Sequence, residues 1–500
     1  MHPVLLVKNR NVAVTYHIIT LGCQMNLSDE ERVRSVLSGM GCRWTDEEET
    51  ADLLGIIACS VRQKAIDKVY ARIQRWNRWK NKKALLTFVS GCILPADKLR
   101  FLRMFDLVFT MNELPRLPDM IRQYGVAHPA GSGWLNRPAR PTKDTSHIQP
   151  TLLDLAIQSG KVQIDELQPG NLGPADRDIM DGLWRIEPLY HSNFEAFVPI
   201  QNGCDKFCSF CAVPYTRGRE VSRPSGEILE EIKTLAGRDY KSITLLGQNV
   251  NSYGLDKART EPTFAALLRQ IGELGKTLGR EYWIYFTSPH PRDMNHDVID
   301  AIASYPHLAK QIHLPLQSGD NQVLARMNRT YSVEEYRKIV SYIRERIPEA
   351  TLFTDIIVGF NGETEAQFEN TRNAMHEFRF NMAYIAQYSP RPGAVSARWE
   401  DDIPPHEKKR RFHELNREMA LISRQLNRQM TGKTFRVLVT GRDRKAGFLS
   451  GHTEGKIIVR FRSDNETLIG QFVNLRITSA ADFSVSGELV DASPKEHSAA

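Results

Sequence analysis

Cys204, Cys208 and Cys211 lie in the segment QNGCDKFCSFCAVPYTRGR, at spacings of four and three residues, in a loop after the apolar run AFVPI. Three thiols this close predict a metal site. A closed structural zinc site takes four tetrahedral ligands, usually as two cysteine pairs, and here the second pair is missing. Three thiolates instead hold three corners of a four-iron four-sulfur cube and leave the fourth iron open to a small molecule. Soft thiolates select such clusters, zinc or copper(I). The competing readings are a zinc loop completed by a distant histidine and three unrelated buried thiols.

Cys23, Cys59 and Cys92 are far apart in sequence, yet each ends a segment that reads as a strand: TYHIITLG, DLLGIIAC and ALLTFVSGC. Between them lie helical segments, NLSDEERVRSVLSGMGC with a cap at Asn26 or Ser28, and VRQKAIDKVYARIQRWNRWK. This alternation predicts a parallel α/β domain. Open parallel sheets bind ligands beyond the carboxyl ends of their strands, where folding would gather the three thiols into a second cluster. Gly22 and Gly91 precede two of them and allow close backbone approach to a bulky inorganic group. Cys42 falls at the far end of a helix and reads as structural. The alternative for the triplet is three buried thiols.

FDLVFTMNEL closes this domain near residue 125. Residues 126–190, rich in Pro, Gly and polar residues, read as a linker or insertion with one helical segment, TLLDLAIQSGKVQI. From AFVPI onward strand and helix alternate through six units, an open (β/α) barrel whose chemistry belongs at the carboxyl ends of its strands. Those ends hold the close cysteines, Gly247 with Gln248 and Asn249, Ser288 with His290, Gln317 with Ser318, Asp355, and Tyr388 with Arg391. His290 and His313 read as hydrogen-bonded structural histidines, because spacing supplies neither with a partner. Asp355 and Glu363 read as hydroxyl or amine acceptors or as helix caps. Arg217 and Arg219 suit substrate phosphate or offset thiolate charge. A long helix, HEKKRRFHELNREMALISRQLNRQM, offers a basic face to RNA. Five short strands follow, KTFRVLVTGRD, GFLSGHT, KIIVRF, GQFVNLRITSA and FSVSGEL, and predict a small antiparallel barrel. Its Arg436, Arg442, Arg444, Lys445, Lys456, Arg460, Arg462 and Arg476 favour RNA binding over a passive packing role.

With 500 residues, 41% hydrophobic and 25% charged, the composition is that of a soluble chain of several domains. No run of eighteen apolar residues and no secretory leader are evident, so no membrane span is expected. Seven cysteines in so long a chain do not make a disulfide framework, and thiolate ligands suit a reducing, cytoplasmic compartment. The net charge of +7 is compatible with a polyanionic partner. The run Lys408 to Arg411, and the cluster of Arg75, Arg78, Lys80, Lys82 and Lys83, read equally as contact surfaces or solvated helix faces.

CDKFCSFC resembles the cluster motif of the radical S-adenosylmethionine superfamily. More narrowly, GCQMNLSDEE, ACSVRQKA, GCDKFCSFCAVPYTRGREVSRP, LLGQNVNSYG, HLPLQSGDNQVLARMNRTYS, TDIIVGFNGET and YIAQYSPRPGA resemble the methylthiotransferase family, over nearly everything except residues 126–190. The resemblance implies an amino-terminal α/β domain with an auxiliary cluster over 14–125, a linker or insertion over 126–190, a central radical (β/α)6 partial barrel over 191–430, and an RNA-binding TRAM barrel over 431–494. It implies two [4Fe-4S] clusters, one on Cys204, Cys208 and Cys211 and an auxiliary one on Cys23, Cys59 and Cys92. S-adenosylmethionine or adenine would sit near Gly247, Gln248, Gln317, Ser318 and Asp355.

GCQMN, SVRQKA and RGREVSRP are similar to the branch that modifies isopentenylated adenosine at position 37 of tRNA. Ala58 after Ile57 departs from the threonine after asparagine usual in that branch. The implied activity is addition of a methylthio group to carbon 2 of that base, in the anticodon stem-loop, by a radical made from S-adenosylmethionine. The enzyme would be a cytoplasmic monomer served by a reducing donor such as flavodoxin or ferredoxin. The alternatives are methylthiolation of threonylcarbamoyladenosine or of a ribosomal-protein aspartate and, in another class, a non-catalytic RNA-binding protein with structural metal sites.

Overall fold

The computed structural model describes residues 13–60, 63–123, 180 and 182–490. The helix expected over TLLDLAIQSGKVQI and the tail PKEHSAA lie outside them. The chain divides into two units: one comprises 1–191, 202–223 and 391–397, the other 192–201, 224–390 and 398–500.

In the first unit, β1 (Thr15–Leu21), β2 (Arg43–Trp44), β3 (Leu53–Cys59), β4 (Leu86–Cys92) and β5 (Leu107–Val108) form a parallel sheet in the order β2-β1-β3-β4-β5. Every residue of β3 and β4 is buried, as expected of a parallel sheet covered on both faces. Strand parity divides their side chains. Leu53 and Ile57 of β3 with Leu86 and Phe88 of β4 pack in the core that includes Val33 and Leu37 of α1 (Gln24–Gly39). Leu54, Ile56 and Val89 pack in the other core, under Ile66, Val69, Ile73 and Trp76 of α2 (Gln63–Trp79). Those four positions repeat at helical spacing, and burying each stabilises the unit by roughly 1.5–3 kcal/mol. Cys59 and Cys92 share the parity of the α1 face. Cys42 is buried in the α1-side core, consistent with a structural role.

Helix α1 starts earlier than a cap at Asn26 or Ser28 requires. Cys23 is its N-cap, and Asn26 is the third helical residue, forming a capping box with it. A cysteine does not advertise a helix start, so the usual cap residues downstream drew the boundary too late. Helices α3 (Pro95–Phe101) and α4 (Leu117–Gln123) complete the amino-terminal part, and Leu183 and Trp184 join the same core. The chain then runs through β6 (Glu195–Pro199), β7 (Gln201–Asn202), the cysteine loop, α5 (Val213–Arg217) and β8 (Val221–Ser222).

The second unit continues with α6 (Ser225–Gly237), β9 (Ser242–Leu246), α7 (Phe264–Leu278), β10 (Trp283–Phe286), α8 (His296–Ser304), β11 (Gln311–His313), α9 (Asn321–Arg326), α10 (Val333–Arg346), β12 (Thr351–Val358), α11 (Glu365–Phe378), β13 (Met382–Gln387) and α12 (Pro405–Arg428). Its six parallel strands form two groups, β10-β9-β6 and β11-β12-β13, linked by a parallel bridge between Ile284 and Leu308. This is the open (β/α)6 barrel.

The basic run in α12 faces inward more than its composition suggests. Lys408 is buried against Asp401, and Arg411 is buried and donates to Glu363 at 2.7 Å. Arg410 is held by Glu365, Glu407 and Glu414. A basic RNA face on this helix is therefore not available from those three residues. In the first unit, likewise, Lys80 pairs with Asp106 at 2.7 Å and Arg75 with Glu48.

β14 (Thr434–Arg442), β15 (Phe448–Thr453), β16 (Ile458–Arg462), β17 (Phe472–Ala480) and β18 (Ser484–Leu489) close a barrel in the order β14-β15-β16-β18-β17. Four of its pairings are antiparallel, and β16 with β18 is parallel. That departs from a purely antiparallel barrel. The hairpin from β17 brings β18 back on the side where β16 has a free edge.

The turn Thr453–Lys456 of this barrel docks at the starts of the central strands. Tyr285 donates its hydroxyl to the Glu454 carbonyl at 3.0 Å, and Thr351 to that of Gly455 at 2.7 Å. Lys456 lies 4.0 Å over the Tyr285 ring and close to Glu195. It is thus a packing residue. Arg436, Arg442 and Arg460 pair with Glu281, Glu466 and Asp443, whereas Arg444, Arg462 and Arg476 make no salt bridge among the described residues. No helix among them is long and apolar enough to cross a membrane.

Candidate functional site

The parallel register places Cys59 and Cys92 directly opposite one another at the ends of β3 and β4. Cys23 enters from the end of β1, at the start of α1. Strand ends and a helix N-terminus thus bring together three residues that the sequence separates widely. Gly91 makes the approach possible. Its φ is +105°, and a Cβ there would meet the Ala58 carbonyl oxygen at 2.4 Å.

The space beside Gly22 and Gly91 is taken by a protein side chain, that of buried Asn26. Its Nδ2 donates to the Ala58 carbonyl at 3.3 Å and approaches Cys92 Sγ at 3.8 Å. Its Oδ1 accepts from the Cys23 backbone N–H at 3.3 Å and lies 3.6 Å from Cys23 Sγ. Asn26 therefore orders two of the three thiols, a role hidden by its reading as a helix cap.

The Cys92 thiol is held above its ordinary pKa by a hydrogen bond with Cys59 and then by burial, against the pull of Arg217. Cys23 is exposed, but neighbouring atoms still desolvate its thiol and, with Cys92, raise its pKa.

The loop of Cys204, Cys208 and Cys211 belongs to this same unit. Gly203 enters it at φ +81°, where a Cβ would lie 2.0 Å from the Arg219 carbonyl oxygen, so only glycine fits. Phe207 takes a φ of +47° between the first two thiols, and Cys204 N–H donates to the Gly218 carbonyl at 3.2 Å. Burial pushes the Cys204 thiol up to about 12, with Cys211 and Cys208 adding to the rise. Both triplets thus carry thiols that burial and their neighbours keep protonated unless a strong cationic centre takes the charge.

Tetrahedral zinc would draw its thiolates to within about 3.8 Å of one another, whereas a cube gives each thiolate its own iron and accepts a wider spread. The thiol-only donor sets, three apiece, fit iron–sulfur clusters. Of the two arginines beyond Cys211, Arg219 pairs with Asp205 at 3.1 Å. Arg217 reaches Cys92 at 2.9 Å and Asp29, so the sulfur it faces belongs to the other triplet.

In the second unit, Gly247 follows β9, and a Cβ there would lie 2.9 Å from Gln201 Oε1. Gln201 lies across this turn, accepting from Asn249 N–H at 3.3 Å. Asn249 is buried, and its Oδ1 has no hydrogen-bond partner among the described residues. That open acceptor beside Gln248 is what the sequence concealed, for loop asparagines are common and burial is not written in the motif. Gln317 stands at φ +68°, bonded through its backbone to Asp355 and Ile357 at 2.8 and 2.9 Å. Ser318 is buried, with its hydroxyl 3.3 Å from that of Thr371 and accepting from Asp320 N–H. Asp355 Oδ2 lies 2.9 Å from His313 Nε2, so His313 does have a partner, two residues beyond its register mate Phe353. His290 is buried and accepts from Arg292 N–H at 3.2 Å, as a structural histidine would.

Three family models match the chain: Uncharacterized protein family UPF0004 over residues 15–110, the Radical SAM superfamily over 198–375 and the TRAM domain over 428–490. The tRNA-2-methylthio-N(6)-dimethylallyladenosine synthase of Geotalea uraniireducens (strain Rf4) is 36% identical over 477 residues, covering 95% of this chain and 98% of that protein. The protein of the same name from Carboxydothermus hydrogenoformans is 36% identical over 483 residues, covering 95% and 99%. That from Geobacter metallireducens is 38% identical over 481 residues, covering 95% and 98%. Thiol triplets at two places in one unit, an open barrel, a closed small barrel and identity along nearly the whole length agree: the chain belongs to the radical S-adenosylmethionine family of tRNA-2-methylthio-N(6)-dimethylallyladenosine synthases.

Proposed function

We propose that this chain is a tRNA methylthiotransferase that adds a methylthio group to carbon 2 of N(6)-isopentenyladenosine at position 37, in the anticodon stem-loop. The observation that carries the proposal is the pair of thiol triplets, at Cys23, Cys59 and Cys92 and at Cys204, Cys208 and Cys211, within one compact unit of a family member. Carbon 2 of adenine is neither acidic nor electrophilic, so side-chain acid–base groups do not exchange its hydrogen, and a cofactor must supply the chemistry. When bound, one [4Fe-4S] cluster at each triplet and S-adenosylmethionine would supply reductive radical generation and sulfur for transfer.

The chain's own residues then have distinct tasks. Cys204, Cys208 and Cys211 would hold the cluster that cleaves S-adenosylmethionine. Asn26 orients Cys23 and Cys92. Gly247, Gln248, Gln317, Ser318 and Asp355 would line the space for the cofactor or adenine, with the Asp355–His313 pair able to accept or hold a proton. Arg444, Arg462 and Arg476 offer phosphate contacts that position the RNA without reading its sequence. The domains run 14–125, 191–430 and 431–494, with an insertion over 126–190. The enzyme works as a monomer in the cytoplasm with a flavodoxin- or ferredoxin-like donor.

Anaerobic reconstitution tests this reading. About eight irons per chain are expected, together with 2-methylthio-N(6)-isopentenyladenosine in digests of prenylated tRNA. Cys204→Ala should abolish S-adenosylmethionine cleavage and leave about four irons. A chain with both clusters and prenylated tRNA that makes no such nucleoside would refute the substrate assignment.

A further inference from the structure

Arg217 ends α5, the helix that follows the close cysteines, yet its guanidinium is buried against the distant triplet. Nε donates to Cys92 Sγ at 2.9 Å. Nη1 donates to Asp29 Oδ1 at 3.2 Å and Asn202 Oδ1 at 3.4 Å, and Nη2 to Asp29 Oδ2. Asn202 Nδ2 returns a bond to the Arg217 carbonyl at 3.0 Å. Arginine's planar fork permits this division, with one edge on a carboxylate and Nε–H left for sulfur.

An arginine paired only with Asp29 would be a structural tie between α1 and α5. The Nε–Sγ contact makes it more than that, because a neutral thiol is a weak acceptor and a thiolate a strong one. Cys92 also faces the Asn26 amide, so its sulfur is approached by two side-chain N–H donors. Hydrogen bonds to ligand sulfur withdraw charge, favour the reduced cluster and raise its potential. Asp29 fixes the guanidinium in place, and its carboxylate acts on the Cys92 sulfur through its charge.

We propose that Arg217 is a positioning residue that ties the loop of Cys204, Cys208 and Cys211 to the auxiliary site and raises the reduction potential of the cluster held there. This rests on the assignment of Cys23, Cys59 and Cys92 as ligands of one iron–sulfur cluster. A displacement of the cysteine loop is then felt at Cys92 through the Arg217 side chain.

The test uses the full chain carrying Cys204→Ala, Cys208→Ala and Cys211→Ala, so that any remaining iron reports the auxiliary site. Iron content, electron paramagnetic resonance and a redox titration are read with and without Arg217→Gln plus Asp29→Asn, a pair that leaves no buried charge unpaired. Expected are unchanged iron, a lower midpoint potential and altered g values. Arg217→Lys, which keeps the charge beside Asp29 but loses the planar Nε–H, should also lower the potential and decides the matter where the paired variant loses iron. Iron retained at an unmoved potential overturns the proposal alone. A background chain that binds no iron overturns the ligand assignment, and the proposal with it.

Discussion

Gly91→Ala is the smallest change that should open the auxiliary site. Residue 91 has φ +105°, a region that side-chain-bearing residues rarely adopt, and the new Cβ would lie 2.4 Å from the Ala58 carbonyl oxygen and 3.0 Å from Asn26 Nδ2. A carbon ordinarily meets a carbonyl oxygen at about 3.3 Å, so β3 and β4 must part locally by roughly 0.9 Å. Backbone strain of about 1–3 kcal/mol adds to an overpacking cost of similar size, roughly 2–6 kcal/mol in all. Domains are stable by about 5–15 kcal/mol, so the fold should survive in the cold. The separation falls where Cys59 faces Cys92, and iron at that triplet should be lost before structure is. Two measurements follow: the first thermal transition of the apoprotein, expected to fall by on the order of 10 °C, and iron after reconstitution, expected to halve. Gly39→Ala in the same unit is the control, since a Cβ there meets nothing within 4 Å. An unaltered transition with full iron in Gly91→Ala would refute the argument that glycine is required for the convergence of these thiols.

Burial pushes the Glu31 carboxyl up to about 7 from its ordinary 4.5, and its Oε2 has no partner among the described residues. The neutral form's contribution is therefore complete below pH 4.5 and is lost as pH rises through 7, a loss of roughly 3 kcal/mol. Glu31→Gln should flatten the thermal midpoint between pH 5 and 8 and raise it at pH 8, and an unchanged pH slope would contradict this. Glu363 is buried beside buried Arg411 at 2.7 Å; Glu363→Ala strands that cation, and denaturant unfolding should show a loss of about 3 kcal/mol, the low end for a broken buried pair because Glu407 remains. Asp355→Asn keeps the shape beside His313 but removes its charge, and turnover should fall at least roughly tenfold with iron content intact; full turnover would remove Asp355 from the site.

What was legible in the sequence was whatever a local period or a short spacing encodes. The segments before Cys23, Cys59 and Cys92 became β1, β3 and β4, and β3 and β4 are buried throughout, as strands covered on both faces are. Partners set by register or by long loops were hidden. Arg217 and Cys92 are 125 residues apart, and His313 meets Asp355 only because β11 and β12 align as they do. The basic residues show the same boundary. In β16, Arg460 and Arg462 are exposed and alternate with buried Val459 and Phe461, so strand parity alone sends them outward. Arg476 is exposed between buried Leu475 and Ile477 for the same reason. Lys456 lies in the turn before that alternation starts, where parity has no force, and the docking of Thr453–Lys456 on β10 and β12 half-buries it against Tyr285. Counting charge per segment therefore overstates an RNA-binding surface wherever cations sit in turns that another element covers, and Arg444, Arg462 and Arg476 are the better candidates for phosphate contact.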